Sequence, residues 1–325
     1  MKFFPVAMSL LAVAACSSPA DPVAAPGGLK ISGPFVHEHL ALYVVEDPGA
    51  KPAQELITLA EGLKTGTVKV TEKKSAQVNE LLIENGSDKP CFVQAGDVVK
   101  GGQQDRLIGR DFVIPPNTAP TPVSSFCVEH SRWNGQKAFV ASDQNAYGKD
   151  LKLAVQKEAN QSLVWEDVAK AKKGLRENQI VAGAPSTSSL NEELEDPKVK
   201  ERLKSSREAM HKLLAERPQS VGLLWAINGK FSTADLYDDP SLFRRIYPRL
   251  LDSATMEAMS TKTEARPAPS AADASTFLAE AEKGQMKSEE YRKDLKVETC
   301  ENPNSVQFDY AWGSRRVHRQ VVNKQ

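Results

Sequence analysis

The residues best equipped for chemistry fall in two short runs, Gly101-Gly102-Gln103-Gln104-Asp105-Arg106 and Glu129-His130-Ser131-Arg132-Trp133. The paired glycines let the main chain bend or come close to another group, and the four residues after them carry two amides, a carboxylate and a guanidinium. On extended backbone Gln103 and Asp105 share one face, and Gln104 and Arg106 the other. Arg106 and Arg132 suit an anion, and Trp133 offers a ring face for stacking. If the strand that ends at Glu129 pairs near residues 102–107, Glu129 and Arg132 join Gln103 and Asp105 in one pocket. Asp105 and Glu129 would then form a carboxylate pair able to act as acid and base at a glycosidic or nucleotide-like bond. The competing reading is a bulged sheet edge, with Asp105 and Arg106 satisfying local backbone and Glu129 paired to Arg106 or Arg132. Neither face of the first run holds a nucleophile beside a base. That run is not a phosphate loop either, because it lacks the G-K-[ST] ending.

Two other groupings hold residues of ligating or redox type. His37 and His39 would point to one face of a strand, as metal ligands can. Glu46 comes too late to complete a cupin-like set, and His130 is the one other histidine nearby, so neither a metal nor a cofactor is expected. Cys91 and Cys127 sit in apolar runs, Pro90-Cys91-Phe92-Val93 and Phe126-Cys127-Val128, and in an oxidising compartment they are either a disulfide or two buried thiols.

That compartment is suggested by the first sixteen residues, MKFFPVAMSLLAVAAC. Lys2 is followed by an apolar core from Phe3 to Ala15, too short to span a bilayer but suited to a signal peptide. The ending Val13-Ala14-Ala15-Cys16 resembles the lipobox of bacterial lipoproteins, which makes Cys16 the expected lipidation site. Ser17 rather than aspartate after it favours the outer membrane. Lysine plus arginine and aspartate plus glutamate both total 42, so no bulk field attracts nucleic acid and none is expected as a partner. The expected partners are the membrane, through the lipid, and a small polar or anionic ligand.

Four segments follow: residues 1–15 as signal peptide, 16–28 as a flexible Pro/Ala/Gly-rich tether, 29–150 as a β-rich half, and 151–325 as a half of helices and hairpins packed onto it as one domain. In the β-rich half, Leu40–Val45, Val68–Glu72, Val78–Glu84, Cys91–Ala95, Phe112–Ile114 and Val123–Glu129 read as strands, with a short helix at Ile57–Leu63. Pro120 and Pro122 separate the last two strands. Leu151–Leu175 and Pro197–Arg217 carry helical spacing, and a third helix starts at Asp239-Pro240 and kinks at Pro248. Residues 264–272 read as a linker. Asn228-Gly229 and Gly313-Ser314 each centre a hairpin. The expected class is α+β: an N-terminal antiparallel sandwich or barrel-like sheet, followed by helices and two C-terminal β-hairpins.

One further pattern links the two polar runs. The motif G-D-x(3)-G-G-x-Q-x-R, at Gly96, Asp97, Gly101, Gly102, Gln104 and Arg106, is followed by C-V-E-x(2)-R-W from Cys127 to Trp133. Together with Val164-Trp165 and Ala226–Lys230, it resembles the ARG and Rhodanese-Phosphatase-superfamily-associated domain over residues 30–322. The resemblance implies genomic association with ADP-ribosylglycohydrolase-like and phosphatase-like proteins, and it brings no established activity or catalytic residue. The leading expectation is therefore a lipid-anchored periplasmic binding or accessory module. The alternatives are a hydrolase using Asp105 and Glu129, and a purely structural envelope lipoprotein.

Overall fold

A run that is apolar at every position is stable as a strand only when both faces are covered, and residues 40–45 of β3 (Leu40–Glu46) are such a run. Leu40, Leu42 and Val44 enter one core, while Ala41, Tyr43 and Val45 enter another on the opposite face. The computed structural model describes residues 21–51, 53–73, 79–128, 137–145, 148–181 and 194–325. β3 belongs to a nine-stranded sheet. In spatial order it runs β1 (Val23–Ala24), β2 (Lys30–His37), β3, β13 (Ser220–Ile227), β14 (Lys230–Tyr237), β18 (Arg315–Asn323), β17 (Ser305–Trp312), β16 (Leu295–Glu301) and β15 (Gln285–Arg292). Strands from residues 29–150 and 151–325 thus share one sheet, and every adjacent pair is antiparallel.

A six-stranded sheet curls into a nearly closed barrel. Its order is β12 (Lys137–Asn145), β8 (Asp97–Gly102), β9 (Arg106–Ile108), β11 (Thr118–Cys127), β6 (Glu80–Asn85) and β5 (Val68–Glu72), with β12 brought next to β5. A three-stranded sheet of β10 (Phe112–Ile114), β7 (Cys91–Val93) and β4 (Ile57–Thr58) accompanies it, β4 running parallel to β7. Helix α1 (Leu59–Thr65) starts at a Thr58–Glu61 capping box and stops at Gly66 in the left-handed region.

The remaining helices cover the sheets. α2 (Lys149–Gln156), α3 (Gln161–Glu177) and α4 (Pro197–Met210) pack Leu151, Val164, Val168, Val199 and Leu203 against Val98, Leu107 and Phe126 of the barrel. α5 (Pro240–Ser260) places Leu242, Phe243, Leu250 and Leu251 between the barrel and the large sheet. α6 (Ala271–Ala281) covers the other face of that sheet through Ala274 and Leu278. The α+β class and both hairpins agree with the sequence reading.

Several boundaries differ from it, each for a local reason. The periodic stretch 151–175 is two helices, because Asn160 accepts from the N–H groups of Ser162 and Leu163 and starts a new helix. Pro120 and Pro122 lie within β11, where the pairing with β6 is irregular between Thr118 and Thr121. Residues 21–28 of the expected tether are built into the fold: Val23–Ala24 pairs with β2, and Val23 and Ala25 pack on the α6 side of the sheet. No disulfide joins Cys91 to Cys127. Cys91 is a buried thiol in β7 of the three-stranded sheet, whereas Cys127 ends β11 of the barrel with its backbone paired to Arg106.

Candidate functional site

β8 ends at Gly102 and β9 starts at Arg106, so Gln103, Gln104 and Asp105 form the turn between two paired strands. Gly101 has φ +129° and Gly102 φ +56°, which favour glycine. Crowding demands it as well: a Cβ on Gly101 would lie 2.6 Å from the Ala138 carbonyl oxygen, and one on Gly102 2.3 Å from the Phe139 ring. The glycines therefore let β8 approach β12 closely.

The turn's polar groups largely serve one another. Asp105 Oδ1 accepts from Gly101 N–H at 2.8 Å, and Glu72 Oε1 accepts from Gln103 N–H at 2.9 Å. Arg106 is 3% exposed. Its Nη1 donates to the Gln104 carbonyl at 3.1 Å and to Gln104 Oε1 at 3.3 Å, while Nη2 lies 3.5 Å from Glu72 Oε1. Arg106 Nε is buried with no hydrogen-bond partner among the described residues. Val128 N–H donates to the Asp105 carbonyl at 3.3 Å, so the strand that carries Cys127 does run beside the turn. Glu129, Arg132, Trp133 and Cys16, the expected lipidation residue, lie outside the described residues.

The first half of the motif is tied to the helices. Asp97 is 1% exposed, accepts from Gln94 N–H at 2.9 Å, and binds Arg249 Nη2 of α5 at 2.6 Å. Burial raises its carboxyl pKa even though Arg249 and the Gln94 N–H pull it down. Of the two histidines considered as ligands, His39 places Nε2 2.9 Å from the Ala258 carbonyl. Among the described residues no group of three or more His, Cys, Asp or Glu side chains is arranged to hold a metal.

Sequence reasoning missed a buried charged chain that crosses the molecule. His318 of β18 is fully buried, with Nδ1 2.7 Å from Asp111 Oδ2 and Nε2 3.0 Å from Asp235 Oδ1. Asp235 also accepts from Gln320 Nε2 at 2.6 Å and from Lys152 Nζ of α2 at 3.1 Å. Lys152 Nζ lies over the Trp225 ring, 4.6 Å from its centroid. Burial alone would lower the His318 pKa, but the two aspartates raise it to about 9. The same burial works against Asp235 ionisation, and Lys152 and His318 outweigh it, holding the carboxyl far below its ordinary range. Asp111 and His318 are 207 residues apart, and no local pattern marks them as partners.

The model of one protein family, described as the ARG and Rhodanese-Phosphatase-superfamily-associated Protein domain, matches residues 28–322. No curated protein and no solved structure matches the chain.

Proposed function

The chain belongs to the ARG and Rhodanese-Phosphatase-superfamily-associated family, and from that premise we propose that it is a lipid-anchored module of the bacterial cell envelope that binds a small polar or anionic ligand. The ligand meets the β8–β9 turn, with Arg106 as its cationic anchor and Gln103 and Gln104 at its side. The observation that supports this reading is the state of Arg106. The guanidinium is 3% exposed, and among the described residues its ion-pair carboxylate lies 3.5 Å away and Nε has no acceptor. A buried guanidinium compensated this sparsely gains from an added anionic oxygen. A small opening of the turn would bring one within reach.

The anchoring part rests on the lipobox-like ending at Cys16. Ordered structure includes a strand from Val23 onward, so only residues 17–22 separate a lipid on Cys16 from the sheet edge. At about 3.5 Å per residue, that segment reaches about 20 Å at most. Such an anchor holds the domain against the membrane rather than far from it.

Thermal shift with inorganic phosphate, acetate and ADP-ribose tests the ligand. At least one of these anions should stabilise the wild-type protein, because binding to the folded state alone raises the melting temperature. Arg106→Ala should lose that shift, and Arg106→Lys should keep part of it. Equal shifts in wild type and Arg106→Ala, or none in either, would reject the turn as an anion site.

A further inference from the structure

A cleft of about 470 Å³ opens between α2, α3 and the C-terminal end of α5, away from the β8–β9 turn. Its volume falls in the range of small-molecule sites, about 300–1,000 Å³. The residues that decide its chemistry are Lys149, Asp150, Asp167, Lys170, Glu257 and Lys262.

Four carboxylates line it and differ in what they already hold, Glu177 being paired with Lys173 at 3.5 Å. Glu257 is turned into the protein, accepting from Trp225 Nε1 at 2.7 Å, Ser232 Oγ at 2.6 Å and Lys149 N–H at 3.2 Å. Asp150 is bracketed by Lys149 Nζ at 3.0 Å and by Lys170 Nζ, so it is neutralised by two ammonium groups. Asp167 is half-buried and has no hydrogen-bond or ion-pair partner among the described residues. Burial first, and then the charge of Asp150, push its carboxyl up to about 6. Lys262 is the converse. Asn228 Nδ2 fixes its backbone by donating to its carbonyl at 2.9 Å, while its exposed ammonium has no carboxylate partner among the described residues.

A concave site with one uncompensated carboxyl and one uncompensated ammonium selects a ligand that carries the opposite of each. A simple anion would meet Asp167 and two lysines already claimed by Asp150. A simple cation would meet Lys149 and Lys170 and leave Lys262 unused. We propose that this cleft binds a small zwitterion of the amino-acid class, its ammonium against Asp167 and its carboxylate against Lys262. The site is separate from the β8–β9 turn and uses other residues and other probes, so failure of either leaves the other readable.

Isothermal titration of the full chain at neutral pH with the common amino acids, and with ethylamine and propionate as single-charge controls, decides the matter. At least one amino acid should bind about tenfold tighter than either control, a difference of about 1.4 kcal/mol. Asp167→Asn and Lys262→Gln should each weaken it by a similar factor. Both side chains lie at the cleft surface, and unchanged melting temperatures would show that the variants fold. The proposal is overturned if no amino acid binds, if ethylamine or propionate binds as tightly, or if Asp167→Asn binds like the wild type.

Discussion

His318 bridges Asp111 and Asp235, with its two ring nitrogens 2.7 and 3.0 Å from their carboxylates, at a point with no solvent exposure. The bridge joins the loop before β10, the hairpin strand β14 and the last strand β18. Three segments far apart in sequence are thereby locked by one side chain.

The lock has a pH signature. The folded-state pKa of His318 is raised to about 9 from an ordinary 6.5. Its contribution to stability is fully present below the unfolded value and is lost as pH rises through about 9. Asp235, with a lowered pKa, contributes above the ordinary carboxylate range, and that part is lost on acidification. Urea unfolding from pH 5 to 10 should show stability falling on the alkaline side, while Tyr237 and Tyr310, held well above the ordinary tyrosine range by burial, stay neutral. His318→Gln should flatten this slope and cost about 3–5 kcal/mol at pH 7, because the buried Asp111 loses its cation while Asp235 keeps Lys152.

Gly174 makes a second prediction. A Cβ there would lie 1.9 Å from the Ser260 carbonyl oxygen, so α3 touches the end of α5 through a glycine. Gly174→Ala gains helix propensity of about 1 kcal/mol but must push the helices apart, and overpacking costs about 1–3 kcal/mol. The expected net effect is destabilisation in chemical denaturation. Because this contact also borders the zwitterion cleft, amino-acid affinity should fall with it.

Much of this architecture was legible in the residues, and the exceptions share a cause. Asn228-Gly229 and the alternating runs around it announce a hairpin, and Leu40–Val45 announces a doubly covered strand. β15 escaped notice because six of its residues, Gln285 to Glu290, are exposed on both faces and show no alternation. α6 escaped because the proline-rich 264–270 stretch masks its start, although Ser270 and Asp273 form a capping box visible as S-x-x-D. For the candidate site, the pairing of the Cys127 strand with the β8–β9 turn was legible. The partners of Arg106 were not: Glu72, on a strand three places away in the barrel, supplies the carboxylate. Periodicity gives the face of a strand, but it does not say which distant strand lies opposite.

Anchoring is checked by fractionation. Cys16→Ser should move the protein from the membrane to the soluble envelope fraction, since a tether of six residues has no other hold on the bilayer. No described helix is long and apolar enough to cross a membrane. Unchanged fractionation of the variant would remove the lipid from the proposed function.

The thiols give a fourth test. Burial pushes the Cys91 thiol far above its ordinary pKa, which leaves almost no thiolate to attack a disulfide. A non-reducing peptide map of the folded protein should therefore contain no Cys91–Cys127 bridge, and reductant should leave the melting temperature unchanged.

The motif residue Asp97 supports the last prediction. Its carboxylate is 1% exposed and meets Arg249 Nη2 at 2.6 Å, so the start of β8 is tied to the middle of α5. Arg249→Met removes the cation and strands a buried carboxylate, an expected loss of about 3–5 kcal/mol. Asp97→Asn strands a guanidinium that is less buried, and Asn can still accept from Gln94 N–H, so the loss should be smaller. Replacing both should cost less than the sum, since neither charge is then left alone. A double-mutant cycle by urea denaturation measures the difference. If the two losses simply add, Asp97 does not hold α5, and its place in the motif must be explained by the Gly96 turn alone.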